Sequence, residues 1–128
     1  MNESILHDLL AVNPRDNRKE RDTKELEVLR LSKLLPAGQK AVFKLSGLTY
    51  GQVEEVRHIS EDNNIHIILH GVVEPSLRDP ALMAKYNAVT PVETVKALFT
   101  PGEIEDLARE IERLSGFRMR VVAEVKND

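Results

Sequence analysis

The clearest pattern of apolar and polar residues covers residues 100–116 and predicts an amphipathic helix. Thr100 and Glu103 have the spacing of a capping box, and Gly116 suits the left-handed conformation that often ends a helix. Between these ends the apolar residues recur at steps of three and four, which places on one face Ile104, Leu107, Ala108, Ile111 and Leu114. One helix cannot bury such a stripe alone, so we expect the rest of the chain to cover it.

A shorter apolar stripe near the start of the sequence predicts another amphipathic helix over residues 4–11. Its apolar side chains are Ile5, Leu6, Leu9 and Leu10. Residues 13–23 are almost wholly polar and carry both signs of charge, which predicts a mobile linker. Two roles stay open for the helix: it docks on the protein's own core, or it is tethered and grips a partner.

Alternating apolar and polar residues after this linker predict a β-hairpin over about residues 24–45. The first strand begins at Lys24, and its alternation shifts phase at Leu29, which predicts a bulge or kink in a strand that runs to Leu35. Residues 36–38 (PAG) are a turn signal, and the alternation then resumes through residues 41–45.

Several helices are predicted after the hairpin. Thr49 and Gln52 form a second capping-box pattern, which opens a helix to about Asp62. Residues 63–73 fit either a strand or a helix, and we favour a helix.

Two short helices are predicted over residues 80–86 and 91–99, because each begins with a proline that follows a capping residue. The tail from Arg118 alternates briefly and fits a strand or a final helix. The predicted fold is therefore α+β and mainly α: a compact helical domain with a small N-terminal hairpin and a mobile N-terminal helix. We expect residues 1–23 to hold that helix and the charged linker, and residues 24–128 to form a single globular domain.

Composition narrows the class of protein. The formal net charge of −3 and the pI near 5.8 argue against a general nucleic-acid binder, which needs a basic excess to neutralise phosphates. The sequence has no cysteine, which excludes disulfides, thiolate nucleophiles and cysteine-based zinc sites. We expect no signal peptide and no membrane span, because the apolar runs are too short.

Candidate chemistry is sparse. His66 and His70 are four residues apart, so one helical face would carry both imidazoles, but no further ligand pattern completes a metal site. Four carboxylates cluster near the start of the 100–116 helix, where capping and the helix dipole already favour acidic residues; they are Glu103, Glu105, Asp106 and Glu110. We therefore predict no catalytic residue, no metal and no cofactor, and a binding or assembly role.

Five short motifs follow one another in the second half of the chain, and their succession carries a resemblance to a known family. They are residues 71–80 (GVVEPSLRDP), 82–86 (LMAKY), 90–93 (TPVE), 98–104 (LFTPGEI) and 114–117 (LSGF). With its motifs in this order, the sequence resembles the XkdN-like phage tail assembly chaperones, which occur in prophages and phage-like elements of Gram-positive bacteria. Asn87 stands where the family pattern has a glycine, and asparagine also adopts the left-handed conformation.

The resemblance implies a non-enzymatic protein of the bacterial host cytoplasm that is absent from the finished virion. It implies that the protein binds the tape measure protein and keeps it soluble until tail tube subunits polymerise around it. The major tail tube protein is a second candidate partner. No nucleic acid and no membrane are expected as partners.

We expect the contact surface to consist of Ile5, Leu6, Leu9 and Leu10 together with a groove beside the 104–114 helix. For Ile104, Leu107 and Ile111 themselves, a place in the core is favoured over a place in an interface.

Two other classes of function have weaker support from the sequence. Residues 90–117 have a helix, a tight turn and a second helix, as in a small regulatory DNA-binding module, but the acidic start of the second helix would repel phosphate. A metal-dependent enzyme would depend on His66 and His70 alone.

Overall fold

A computed structural model describes residues 2–13, 22–117 and 122–125. These residues form seven helices and one three-stranded antiparallel sheet, so the predicted α+β and mainly α fold class is confirmed. In chain order the elements are α1 (Asn2–Ala11), β1 (Thr23–Glu27), α2 (Leu29–Ser32), β2 (Val42–Ser46), α3 (Tyr50–Arg57), α4 (Asn63–Gly71), β3 (Val72–Glu74), α5 (Pro80–Lys85), α6 (Pro91–Leu98) and α7 (Pro101–Leu114).

The sheet is built around β2, which lies between β1 and β3. β1 pairs with β2 in the register that joins Thr23 to Ser46 and Glu27 to Val42, so the predicted hairpin is present. β3 pairs with the other edge of β2, with an irregularity between Lys44 and Leu45. The sequence interpretation placed residues 72–73 in a helix, and this is wrong: α4 ends at Gly71, and the backbone then pairs with β2.

The connection between β1 and β2 also differs from the prediction of one bulged strand to Leu35. β1 ends at Glu27, and Leu29, where the alternation shifts phase, is the first residue of α2. The Ser32 hydroxyl at the end of α2 donates to the Glu27 carboxylate at 2.6 Å and accepts from the Ala41 N–H at 2.8 Å. One short helix thus ties the two strands together, an arrangement that apolar spacing alone does not distinguish from a bulge.

The helix α3 starts at the predicted capping box, in which the Thr49 hydroxyl accepts from the Gln52 N–H at 3.1 Å. It ends at Arg57 rather than near Asp62. The Asn63 amide nitrogen donates to the carbonyl of Val56 at 3.0 Å and to that of Ile59 at 2.9 Å, which satisfies groups that a longer helix would have bonded internally.

The two short helices have the predicted starts, with Asp79 capping α5 and Thr90 capping α6. Asn87, which follows α5, has a φ of 53° and so takes the left-handed conformation expected of it. Of the C-terminal tail, the described residues 122–125 are neither helix nor strand, and residues 118–121 and 126–128 lie outside the described residues. Most of the predicted linker, residues 14–21, lies outside them as well.

The core is centred on the crossing of α4 and α7 beneath the sheet. Ile68, Val95, Ile111 and Leu45 of β2 are fully buried. Leu107 is buried too, while Ile104 is half-buried against the core, so the expectation that the α7 stripe belongs to the core is confirmed.

Two glycines let α7 approach its neighbours closely. A Cβ atom on Gly71 would lie 2.5 Å from the nearest side-chain atom of Ile111, and one on Gly47 would lie 2.5 Å from the Leu114 carbonyl oxygen. At the end of α7, Gly116 has a φ of 95° and the Phe117 N–H donates to the Glu112 carbonyl at 2.9 Å, as in a Schellman motif.

Candidate partner-binding surfaces

The first candidate surface is the apolar face of α1, called the α1 stripe. It consists of Ile5, Leu6, Leu9 and Leu10, whose side chains are between 56% and 76% exposed. On α7, Leu107 and Ile111 are buried and Ile104 and Leu114 are half-buried, so the exposure of the α1 stripe is not a general property of the helices in this protein. The structure places the four predicted contact residues together on one open face.

The second surface is a groove between the β1–α2 segment and α7, called the α7 groove. It has a volume of about 520 Å³ and is lined by backbone and side chains of residues 26–30 on one wall and by α7 on the other. Leu26 and Leu107 supply apolar surface, and Asp106 and Arg109 supply charge. A groove beside the 104–114 helix was expected from the sequence, but its rim is more highly charged than the apolar pattern indicated.

Ion pairs cross the ends of the α7 groove. The Arg30 guanidinium donates to both carboxylate oxygens of Glu103 at 2.9 Å and to the Leu98 carbonyl at 2.8 Å. At the other end, Lys24 and Arg113 donate to the two oxygens of Glu110 at 3.0 and 2.8 Å. The Lys24–Glu110 and Arg30–Glu103 pairs link β1 and α2 to α7, whereas the Arg113–Glu110 pair lies within α7.

The ion pairs also shift the pKa values of the groups involved. The hydrogen bonds from Arg30 lower the pKa of Glu103, and the same pairing raises the pKa of Arg30. Hydrogen bonds from Lys24 and Arg113 lower the pKa of Glu110. Two of the four clustered carboxylates are therefore paired with β1 and α2, a role that their spacing in the sequence does not reveal.

A third surface, which the sequence interpretation missed, is an open groove on the other side of the hairpin, called the hairpin groove. It has a volume of about 740 Å³ and lies between β2, the turn after α2, and α5. Its lining includes the exposed apolar side chains of Leu34, Leu35, Val42 and Tyr86. The available signal was the Leu-Leu pair directly before the Pro36 turn, because two consecutive leucines are unusual beside a solvent-exposed turn.

The predicted histidine pair lies on consecutive turns of α4. His70 Nε2 lies 2.8 Å from Glu55 Oε2, and His66 is half-buried one turn earlier on α4. Among the described residues, no group of three or more metal-ligating side chains comes together. The arrangement of these two imidazoles therefore supports a packing and pairing role.

The helical pair α6 and α7 has the connectivity of a helix–turn–helix unit, with Phe99 and Thr100 between the helices. Its second helix begins with carboxylates that are already engaged: Glu103 binds Arg30, and Glu105 binds Arg109 on the next turn. The charge at this end opposes that of a DNA backbone.

The comparisons with known proteins agree with the fold and with the family resemblance of the sequence. The family model of the phage XkdN-like tail assembly chaperone proteins matches residues 60–126, slightly more than half of the 128 residues. The chain therefore belongs to the XkdN-like phage tail assembly chaperones. The matched range covers all five sequence motifs quoted above and extends into the tail beyond Phe117. Such a family implies partners among phage tail proteins, and chaperones of this kind are typically non-enzymatic.

Among solved structures, the crystal structure of the protein yqbn, a structural genomics target, is similar with a TM-score of 0.59. The two chains are 20% identical, and the superposition covers 75% of this chain and 87% of that one. At this identity the similarity shows the fold alone. No curated protein sequence matches this chain. Within the described ranges, no helix has the length and apolar character that crossing a membrane requires.

Proposed function

We propose that this protein binds the tape measure protein of its phage or prophage and keeps it soluble while the tail tube assembles. In this proposal it acts in the cytoplasm of the bacterial host, has the major tail tube protein as a second partner, and is not part of the mature virion. The observation that carries the proposal is the exposed α1 stripe on a chain of this family.

The α1 stripe has the chemistry that a long helical client would need. Each Leu or Ile side chain that moves from water into an interface contributes about 1.5–3 kcal/mol. A ten-residue helix is only marginally stable in water, so burial against a client helix would stabilise α1 itself. Covering an apolar stripe on the client would at the same time remove the surface through which the client aggregates.

The α7 groove is the second proposed contact. Its apolar floor, with Leu26 and Leu107, suits another turn of the client helix, while Asp106 and Arg109 on its rim offer charges of both signs. Rim charges of this kind favour one orientation of a partner more than they add affinity. The α1 stripe would thus supply most of the binding energy, and the α7 groove the orientation.

The test is co-expression of the full chain with the tape measure protein encoded in the same phage or prophage. We expect the client to become soluble and to elute with this protein in size-exclusion chromatography. The double variant L9D/L10D places two carboxylates on the α1 stripe, so it should leave most of the client insoluble. At about 1 µM protein its circular dichroism and urea unfolding should match the wild type, because both side chains are exposed in the single chain.

The matched control is S4D/H7D, which adds two carboxylates to the polar face of the same helix and should keep the client soluble. Equal client solubility with L9D/L10D would remove α1 from the proposal. A client that stays insoluble beside the wild-type protein would overturn the proposed function. DNA binding that weakens steeply with salt would then favour the alternative, a small regulatory DNA-binding module of a prophage.

A further inference from the structure

The chain leaves two complementary apolar surfaces open. One is the α1 stripe, and the other is the hairpin groove, in which Leu34 is 72% exposed. The floor of the hairpin groove reaches core residues such as Phe43 and Leu77, while its exposed leucines and the α1 stripe are open to solvent. Exposed apolar patches of this kind mark sites of association. A convex helical stripe and a concave apolar groove are the two halves of a helix-in-groove contact.

The charges of the two surfaces are also complementary. The hairpin groove is lined by three lysines, Lys40, Lys44 and Lys85, against two carboxylates, Glu25 and Glu74. Within the described parts of the chain, none of the three lysines forms an ion pair. The α1 sequence, NESILHDLLA, carries two acidic residues and no lysine or arginine. An acidic amphipathic helix with a leucine-rich face is therefore the segment that the groove suits.

We propose that α1 of one copy docks in the hairpin groove of a second copy, and that the exchange is reciprocal. The α1 stripe of the single chain is exposed rather than seated in that chain's own groove, which favours an occupant from another molecule. A reciprocal exchange gives a closed two-fold dimer with two identical helix-in-groove contacts, which leaves neither surface open to further copies. The dimer needs only surfaces of this chain, and because it covers the α1 stripe, a second copy and the proposed client would compete for that stripe.

The first measurement is the molar mass of the full-length protein by light scattering after size-exclusion chromatography, at concentrations from about 1 to 300 µM. We expect a mass near twice the 14.5 kDa of the chain at the upper end, falling toward one chain on dilution. The variants L9D/L10D, in the stripe, and L34D/L35D, in the groove, should both be monomeric throughout. The control V89D/V122D changes two exposed valines outside both surfaces and should dimerise as the wild type does.

The second measurement separates exchange between copies from docking within one chain. Mixing L9D/L10D with L34D/L35D pairs one intact groove with one intact stripe, so the mixture should form a heterodimer although neither variant dimerises alone. Only contacts between copies produce this rescue. The heterodimer keeps one of the two contacts and should therefore dissociate at a higher concentration than the wild type.

Three results would overturn the proposal. The first is a wild-type protein that stays monomeric at 300 µM. The second is a dimer that persists in both L9D/L10D and L34D/L35D, because its interface would then lie elsewhere. The third is a monomer in which L34D/L35D speeds hydrogen exchange in α1, because α1 would then occupy its own groove. None of these measurements involves the tape measure protein, so their failure is separable from failure of the proposed function.

Discussion

The helices α1 and α7 both carry an apolar stripe, which is much less sharply separated from polar residues in α1 than in α7, and the two stripes have different surroundings. The apolar stripe of α7, with Ile111 fully buried, lies at the centre of the core, whereas the α1 stripe faces solvent. The helix α7 is longer, with fourteen residues against ten in α1, and it begins with a complete capping box. An amphipathic pattern therefore predicts a helix with one apolar face, but it does not predict whether the core or a partner covers that face.

What distinguishes α7 is the number of contacts that reach it from distant parts of the chain. Lys24 and Arg30 pair with its carboxylates, Gly71 lets α4 approach it closely, and the Leu48 N–H donates to the Ser115 hydroxyl beyond its end at 2.8 Å. A helix held in this way is part of the fold. The exposed α1 stripe is instead available for partners, and that contrast is the basis of both proposals above.

The largest expected effect on stability separates the two helices directly. Replacing Ile111 with alanine should lower the free energy of unfolding by about 2–5 kcal/mol, because it leaves a cavity in the core. Replacing Leu9 with alanine should change it by less than about 0.5 kcal/mol, because that side chain is exposed. Urea unfolding at about 1 µM protein, where self-association is minimal, measures both. A comparable loss in the two variants would mean that the α1 stripe is docked on the core.

A smaller effect should appear where α4 meets α7. Replacing Gly71 with alanine should destabilise the protein by about 1–3 kcal/mol, since the new methyl group would overlap the Ile111 side chain. The matched control is Gly51→Ala in α3, where no atom lies within 4 Å of the added Cβ. It should be neutral or stabilising by up to about 1 kcal/mol. If Gly71→Ala unfolds at the same urea concentration as the wild type, the close approach does not constrain α7.

The smallest effect concerns the ion pairs of the α7 groove and depends on pH. The pKa values of Glu103 and Glu110 are lowered in the folded state, so their pairing stabilises the protein above the unfolded pKa, about 4.3. This contribution is lost as the pH falls through the lower folded values. The variant E103Q/E110Q should therefore lose less stability than the wild type between about pH 5 and pH 3.

At pH 7 the same variant should be less stable than the wild type by at most about 1 kcal/mol, because pairs near the surface are worth little. Glutamine at position 103 can still complete the capping box, so the change isolates the charge. Urea unfolding across the pH range measures the effect. An identical pH dependence in the two proteins would show that these pairs do not hold β1 and α2 against α7.

Much of the fold was predictable, because its signals are local. The capping residues Thr49, Thr90 and Thr100 mark helix starts within four residues of sequence, and the structure places helices at all three. Gly116 ends α7 as predicted, because the left-handed backbone conformation favours glycine regardless of the surrounding structure. The candidate contact residues of α1 were found through their spacing, and the family through the succession of its motifs.

Local sequence signals therefore account for the helix starts, the hairpin and the helix ends that depend on a single residue. They do not account for the end of β1, for the pairing of residues 72–74 with β2, or for the end of α3 at Arg57. The three-dimensional structure alone also shows that the α1 stripe and the hairpin groove stay open. The physical reason is that these outcomes depend on hydrogen bonds and packing between residues far apart in the chain, which no local pattern encodes.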